Sequence, residues 1–179
     1  EFRTRNGKEI NLASDLLANT FITAAAGWSV VFDGELLCVD QYGKYLDRKT
    51  GNGILNKAVK GTQSAAEAAT VRAVVWDLVD YNDFIKGKSD EVYKDRLLSL
   101  TNIVNPYNHL ISVIETHEVR NEHEARLQFE KFLADGQEGI ILKDVSMIWE
   151  NKRSKKQIKF KGELECDLKI VGTVEGTGK

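Results

Sequence analysis

Proline is almost missing from this chain: Pro106 is the only one among 179 residues, and no low-complexity linker or internal repeat divides the sequence. Cysteine is nearly as scarce. Cys38 and Cys166 stand far apart, with no CxxC pairing and no histidine at ligand spacing, which argues against both a disulfide framework and a zinc site. No apolar run approaches the roughly 20 residues of a membrane-spanning helix. The opening EFRTRNGKEI also lacks the hydrophobic stretch of a signal peptide. Charge of either sign is not in excess: 25 Lys plus Arg face 27 Asp plus Glu, a net charge of -2. No global basic field advertises a polyanionic partner, so any nucleic-acid contact must come from local patches. A reduced protein of the cytoplasm is the expectation, with a length that suits one domain around one sizeable core.

What is present is an interleaving of strand and helix patterns. A strand or turn spans Phe2 to Ile10. Ser14 then caps a helix carrying Leu16, Leu17 and Phe21 that ends at Gly27. WSVVFDGELLCVD reads as a strand with a glycine inside it, and the glycine- and lysine-rich stretch from Lys44 to Gly61 reads as a loop with at most a short helix. Ser64 opens a helix over SAAEAATV, followed by the strand RAVVWDLVDY. A further helix is predicted from Ser89 to Val104, with Asp90 and Glu91 in its first turn. A strand near Leu110 to Glu115 precedes a helix begun by Asn121 and Glu124 and stopped at Gly136. The stretches QEGIILKD, QIKFKGE and CDLKIVGTVEG supply the last strands. Short strands joined by turns and helices predict an α+β class with largely antiparallel sheets flanked by helices.

Three strands carry charge in a pattern that points to chemistry. Strand residues two apart share a face, about 6.6 to 6.8 Å apart. Asp33 and Glu35 therefore lie together, opposite Phe32, Gly34 and Leu36, and Lys159 and Lys161 lie together, opposite Phe160. Glu138 adds a carboxylate, with Lys143 alternating onto the other face. If these faces converge, carboxylates for a divalent cation and ammoniums for phosphate oxygens make up the parts of a phosphoryl- or nucleotidyl-transfer site. Otherwise they line solvated sheet surfaces. Trp76 is either a base-stacking indole or a core aromatic, and Gly34 and Gly139 mark either close ligand approach or bulges. Two basic segments, 44–60 and 152–161, are either solvated loops or a footprint for a phosphate backbone. His109, His117 and His123 show no partner pattern.

The order of short motifs is more specific than any one of them. RNG, DGEL, VVWDLV, EGIILK and KFK occur in succession, and GNGILNKAVKGT, IWENKRSK and KFKGELECDLKIVG extend the pattern. This succession resembles the nucleotidyltransferase motifs of ATP-dependent DNA ligases, above all their T-even bacteriophage members, over nearly the whole chain. RNA ligases and mRNA capping enzymes share the superfamily. The resemblance implies an ATP-grasp-like nucleotidyltransferase fold, ATP (held as AMP) and Mg2+ as cofactors, and nicked double-stranded DNA as partner. It also implies a monomeric full-length protein of a bacterial or phage-infected cytoplasm, with no membrane partner. Residue by residue, it implies that Arg5 contacts the adenylate or a nearby phosphate, that Glu35 binds the ribose, and that Trp76 lies against the adenine. Glu138 is implied for the catalytic metal, Lys159 and Lys161 for the α-phosphate and adenylyl transfer, and Lys57, Lys60, Arg153 and Lys155 for DNA.

One departure qualifies these expectations. The family forms a lysine adenylate at a Lys-x-Asp-Gly motif shortly before the RNG segment, and no such motif occurs in these 179 residues. The chain is therefore read as a partial adenylation domain over 1–179, with the nucleophile segment upstream and an OB-fold domain downstream, and as inactive alone. The alternatives are an RNA ligase or capping-type enzyme, and a non-catalytic nucleotide- or DNA-binding module.

Overall fold

The computed structural model describes residues 1–107, 109–162, 172 and 175. The predicted strand over CDLKIVGTVEG lies almost wholly outside the described residues. The chain divides into two compact units, one built from Glu1–His117 and Asp144–Lys156 and the other from Glu118–Lys143 and the chain from Gln157 on. Length alone did not foretell that division. Among the described residues no helix is long and apolar enough to cross a membrane.

The first unit opens on β1 (Phe2–Arg3) and β2 (Glu9–Ile10), an antiparallel pair closed by a turn at Thr4–Gly7. Helix α1 (Leu16–Ala25) follows, its first turn met by the Ser14 hydroxyl, which accepts from the Leu16 N–H at 3.3 Å. The chain leaves it through left-handed Ala26 and Gly27. The central sheet has the order β3 (Val30–Cys38), β4 (Val71–Asp80), β6 (Ile111–Val113). β3 and β4 are antiparallel, while β4 and β6 run parallel, an exception to the antiparallel expectation. Leu17 of α1, Cys38 of β3 and Val71, Ala73, Val75 and Leu78 of β4 form the core with Leu100, Val104 and Ile111. Burying one such leucine contributes about 2 kcal/mol.

Two expectations fail here for physical reasons. The stretch read as a loop from Lys44 is largely a helix, α2 (Arg48–Lys60). Asp47 accepts from the Lys49 and Thr50 N–H groups, Gly61 closes the end in the left-handed region, and Gly51 sits buried against Cys38. Good caps and packing outweigh two internal glycines. The helix expected from Ser89 is instead strand β5 (Lys88–Val92), paired with β8 (Ile148–Glu150), and helix α5 (Tyr93–Val104) begins only afterwards. Long-range pairing overrides local propensity. Between these elements, α3 (Ala65–Ala68) is shorter than expected but carries a full Ser64/Glu67 capping box, and α4 (Tyr81–Lys86) follows β4 directly.

The second unit holds α6 (Glu122–Ala134), capped by Asn121 as predicted, and the antiparallel pair β7 (Gly139–Lys143) and β9 (Gln157–Lys161). Opposed strand residues share a face. Ile140 with Phe160 and Leu142 with Ile158 form one side, where Phe160 meets Phe129 of α6 edge-on at 6.1 Å.

Candidate functional site

The sequence-predicted residues fall into two sets, one in each unit. In the second unit, Lys159 stands opposite Ile141, Lys161 opposite Gly139, and Gln157 opposite Lys143. Lys143, Lys159 and Lys161 therefore share the face turned from α6. The Glu138 carboxylate approaches the Lys161 ammonium at 3.8 Å. Simple alternation places Glu138 and Lys143 on opposite faces; Glu138 precedes β7, next to Gly139 with its φ of 143°, so strict alternation does not fix its direction. A β-carbon at Gly139 would lie 2.0 Å from the Phe160 carbonyl oxygen. That glycine serves the approach of two strands rather than of a ligand.

Both members of the Glu138–Lys161 pair are exposed, so their attraction contributes little to stability. Two ammoniums on one strand face, beside one carboxylate, can neutralise oxygens of a phosphate and leave a carboxylate for a cation. A recess of about 580 Å³ is lined by residues 158–162. Among the described residues no three His, Cys, Asp or Glu side chains gather into a metal cage. Glu138 nonetheless fits Mg2+, which is commonly held by one or two carboxylates together with substrate phosphates and waters.

In the first unit, Gly34, Leu36 and Cys38 stand opposite Val75, Ala73 and Val71 of the core. Asp33 and Glu35 consequently lie on the other face, as alternation predicted, with Val74 opposite Glu35. Trp76 follows Val74 by two residues, is only partly buried and lies outside the core cluster. The ladder is irregular at this point: Asp33 pairs with Asp77 and the next residue, Gly34, with Val75, so Trp76 is the extra residue of a bulge. A β-carbon at Gly34 would meet the Val74 carbonyl oxygen at 2.5 Å, so this glycine too belongs to strand packing. Arg5 occupies the exposed turn between β1 and β2.

Sequence reasoning missed the polar cluster behind the bulge. Arg96 of α5 is fully buried and grips Asp77 with two hydrogen bonds, Nε to Oδ1 at 2.8 Å and Nη2 to Oδ2 at 2.9 Å. Its Nη1 donates to the carbonyls of Glu91 and Met147. Tyr93 donates its hydroxyl to the Trp76 carbonyl at 3.3 Å. Burial and the neighbouring Asp77 push the Tyr93 phenol up to about 12, against a smaller opposing effect of Arg96. The signal was present: Arg96 interrupts the apolar stripe of Tyr93, Leu100 and Val104, and a charge on such a stripe needs a buried partner.

The candidate DNA contacts lie on exposed positions. Lys57 and Lys60 close the basic end of α2, where Lys57 pairs with Glu67. Arg153 and Lys155 lie in the segment between β8 and β9. That segment contains no acid, yet Glu150 pairs with Lys152 at 2.9 Å and Asp144 with Lys156 at 3.5 Å.

Comparison with known proteins joins these observations. A family model described as the ATP dependent DNA ligase domain matches residues 1–161. The DNA ligase of Enterobacteria phage T4 is 40% identical over 126 residues, covering 70% of this chain and 26% of the relative. The DNA ligase of Enterobacteria phage T6 matches with the same identity and coverage. This chain thus spans about a quarter of the length of the curated relatives it matches. Among solved structures, one described as Pmar-Lig_PreS3 has a TM-score of 0.69 at 19% identity, covering 89% of this chain and 37% of that one. The ATP-dependent DNA ligase from bacteriophage T7, in complex with ATP, has a TM-score of 0.57 at 19% identity, covering 74% and 44% respectively. At these identities the structural likeness speaks for the fold: an α+β ligase adenylation domain.

Proposed function

Because the chain belongs to the family of ATP dependent DNA ligase domains, we propose that it is part of the adenylation domain of an enzyme that uses ATP to seal nicks in duplex DNA. The observation that carries this reading is the lysine face of β9: Lys159 and Lys161 side by side, with the Glu138 carboxylate 3.8 Å from Lys161. In the proposed chemistry, a lysine of a Lys-x-Asp-Gly segment upstream of this chain attacks the α-phosphorus of ATP. A nitrogen–phosphorus bond forms, pyrophosphate leaves, and the AMP then passes to the 5′ phosphate at the nick. Lys159 and Lys161 stabilise negative charge on the α-phosphate oxygens as the bond changes.

Glu35 hydrogen-bonds the ribose and Trp76 stacks on adenine, which accords with their common place on the side of the sheet away from the core. Arg5, in its exposed turn, reaches the adenylate or a nearby phosphate. Glu138 would hold Mg2+ together with the phosphates, and the ion would add charge neutralisation there. Lys57, Lys60, Arg153 and Lys155 contact the phosphate backbone of DNA, and binding there weakens as salt rises.

Labelling with ATP carrying a radioactive α-phosphate tests the reading. This chain alone is expected to remain unlabelled, and a chain extended upstream through Lys-x-Asp-Gly is expected to form the adenylate. In the extended protein, Lys159→Ala or Lys161→Ala should slow labelling by about 100-fold. Labelling of the unextended chain, or full labelling of both variants, would overturn it.

A further inference from the structure

The structure surrounds Trp76 with buried polar contacts that the adenylation chemistry leaves unexplained. We infer that Arg96, Asp77 and Tyr93 are positioning residues for base recognition, fixing the β4 bulge so that Trp76 presents its ring on the Glu35 side of the sheet. The inference rests on the adenine-site reading above and adds a device that sets its geometry.

The strand is held just after the indole-bearing Cα, at two successive points. The Trp76 carbonyl accepts from the Tyr93 hydroxyl at 3.3 Å. One residue on, the Asp77 carboxylate takes two parallel bonds from Arg96, and its Oδ1 also accepts the Leu78 N–H at 2.9 Å. Arg96 is itself anchored at the carbonyls of Glu91 and Met147, so its fork cannot swing without breaking contacts to two further segments. Across the ladder, Gly34 lets β3 close onto the irregular step, since any β-carbon would meet β4 backbone. A bulge re-aims a side chain, and this one is gripped at the residue it re-aims. Stability alone does not call for such a pair, because buried ion pairs are often replaceable by apolar residues without loss. Arginine is specific to the task, since lysine lacks the planar fork that fixes a carboxylate's orientation.

Calorimetric titration of this chain with ATP and, separately, with inorganic tripolyphosphate separates positioning from general damage. The comparison uses the unaltered chain, Trp76→Ala, Tyr93→Phe and Arg96→Lys. Trp76→Ala should weaken ATP by roughly tenfold, the scale of one lost base-stacking contact, and leave tripolyphosphate unchanged. Tyr93→Phe and Arg96→Lys should weaken ATP by about threefold or more, with tripolyphosphate again unchanged and with altered indole fluorescence. If Trp76→Ala weakens ATP while both other variants bind like the unaltered chain, the inference falls and the adenine site stands. The inference also falls if Tyr93→Phe weakens both ligands equally, since that marks general loosening. If the unaltered chain does not distinguish ATP from tripolyphosphate, or Trp76→Ala binds ATP normally, the adenine-site reading falls and takes the inference with it. Should Arg96→Lys fail to fold, Tyr93→Phe carries the test, because it removes a single hydroxyl.

Discussion

At the scale of single residues, two glycines beside carboxylates have strand-packing roles that backbone geometry makes explicit. Gly139 combines a φ of 143° with a β-carbon position 2.0 Å from the Phe160 carbonyl oxygen. Gly139→Ala is expected to cost at least about 2 kcal/mol of strain, on the order of other backbone outliers. Chemical denaturation followed by circular dichroism checks this, and an unchanged midpoint would refute it. The pairing of Asp33 with Glu35 and of Lys159 with Lys161 was legible, because alternation within an unbroken strand is a fixed geometry. The approach of Glu138 to Lys161 was not, because a positive-φ residue interrupts that geometry and the sequence does not reveal φ. The ion pair of Asp77 and Arg96 joins positions far apart in the chain, so only an out-of-place charge on an apolar stripe hinted at it.

At the scale of elements, α2 shows how capping competes with composition. Two glycines near its start led to the expectation of a loop, while Asp47 and Gly61 supply both ends. Gly53 is exposed, and nothing lies within 4 Å of an added β-carbon. Gly53→Ala should therefore stabilise the protein by about 0.5 to 1 kcal/mol, whereas Asp47→Ala should destabilise it by about 1 kcal/mol. Opposite shifts in melting temperature are the signature, and shifts of one sign would contradict it. Helix α5 carries a pH dependence through Tyr93, whose phenol moves from the ordinary 10.0 to about 12 in the folded protein. The unfolded chain releases this proton first, so stability present below pH 10 is lost as pH rises toward 12. Tyr93→Phe should flatten that alkaline limb in denaturation midpoints measured across the interval.

At the scale of the whole molecule, among the described residues the buried core cluster belongs entirely to the first unit, while the second shows one helix against two strands. Local stability follows buried apolar contact. Native-state hydrogen exchange should show amides of β4 and β6 protected more strongly than those of β7 and β9, and equal protection would count against this ranking. The alternation of helices and strands was legible in the sequence. The grouping of strands into separate sheets, including the parallel β4–β6 pair, was not, because periodicity assigns a residue to a face and not a strand to a partner.

The strand that bears Lys159 and Lys161 finds its partner across the segment 144–156, whose neck is closed by the Asp144 N–H donating to the Lys156 carbonyl at 2.9 Å. That segment carries β8, whose pairing with β5 keeps the neck, and with it the ends of β7 and β9, tethered. If the pair frays, it can re-zip as a local event, restoring the lysine register without waiting for the core to refold.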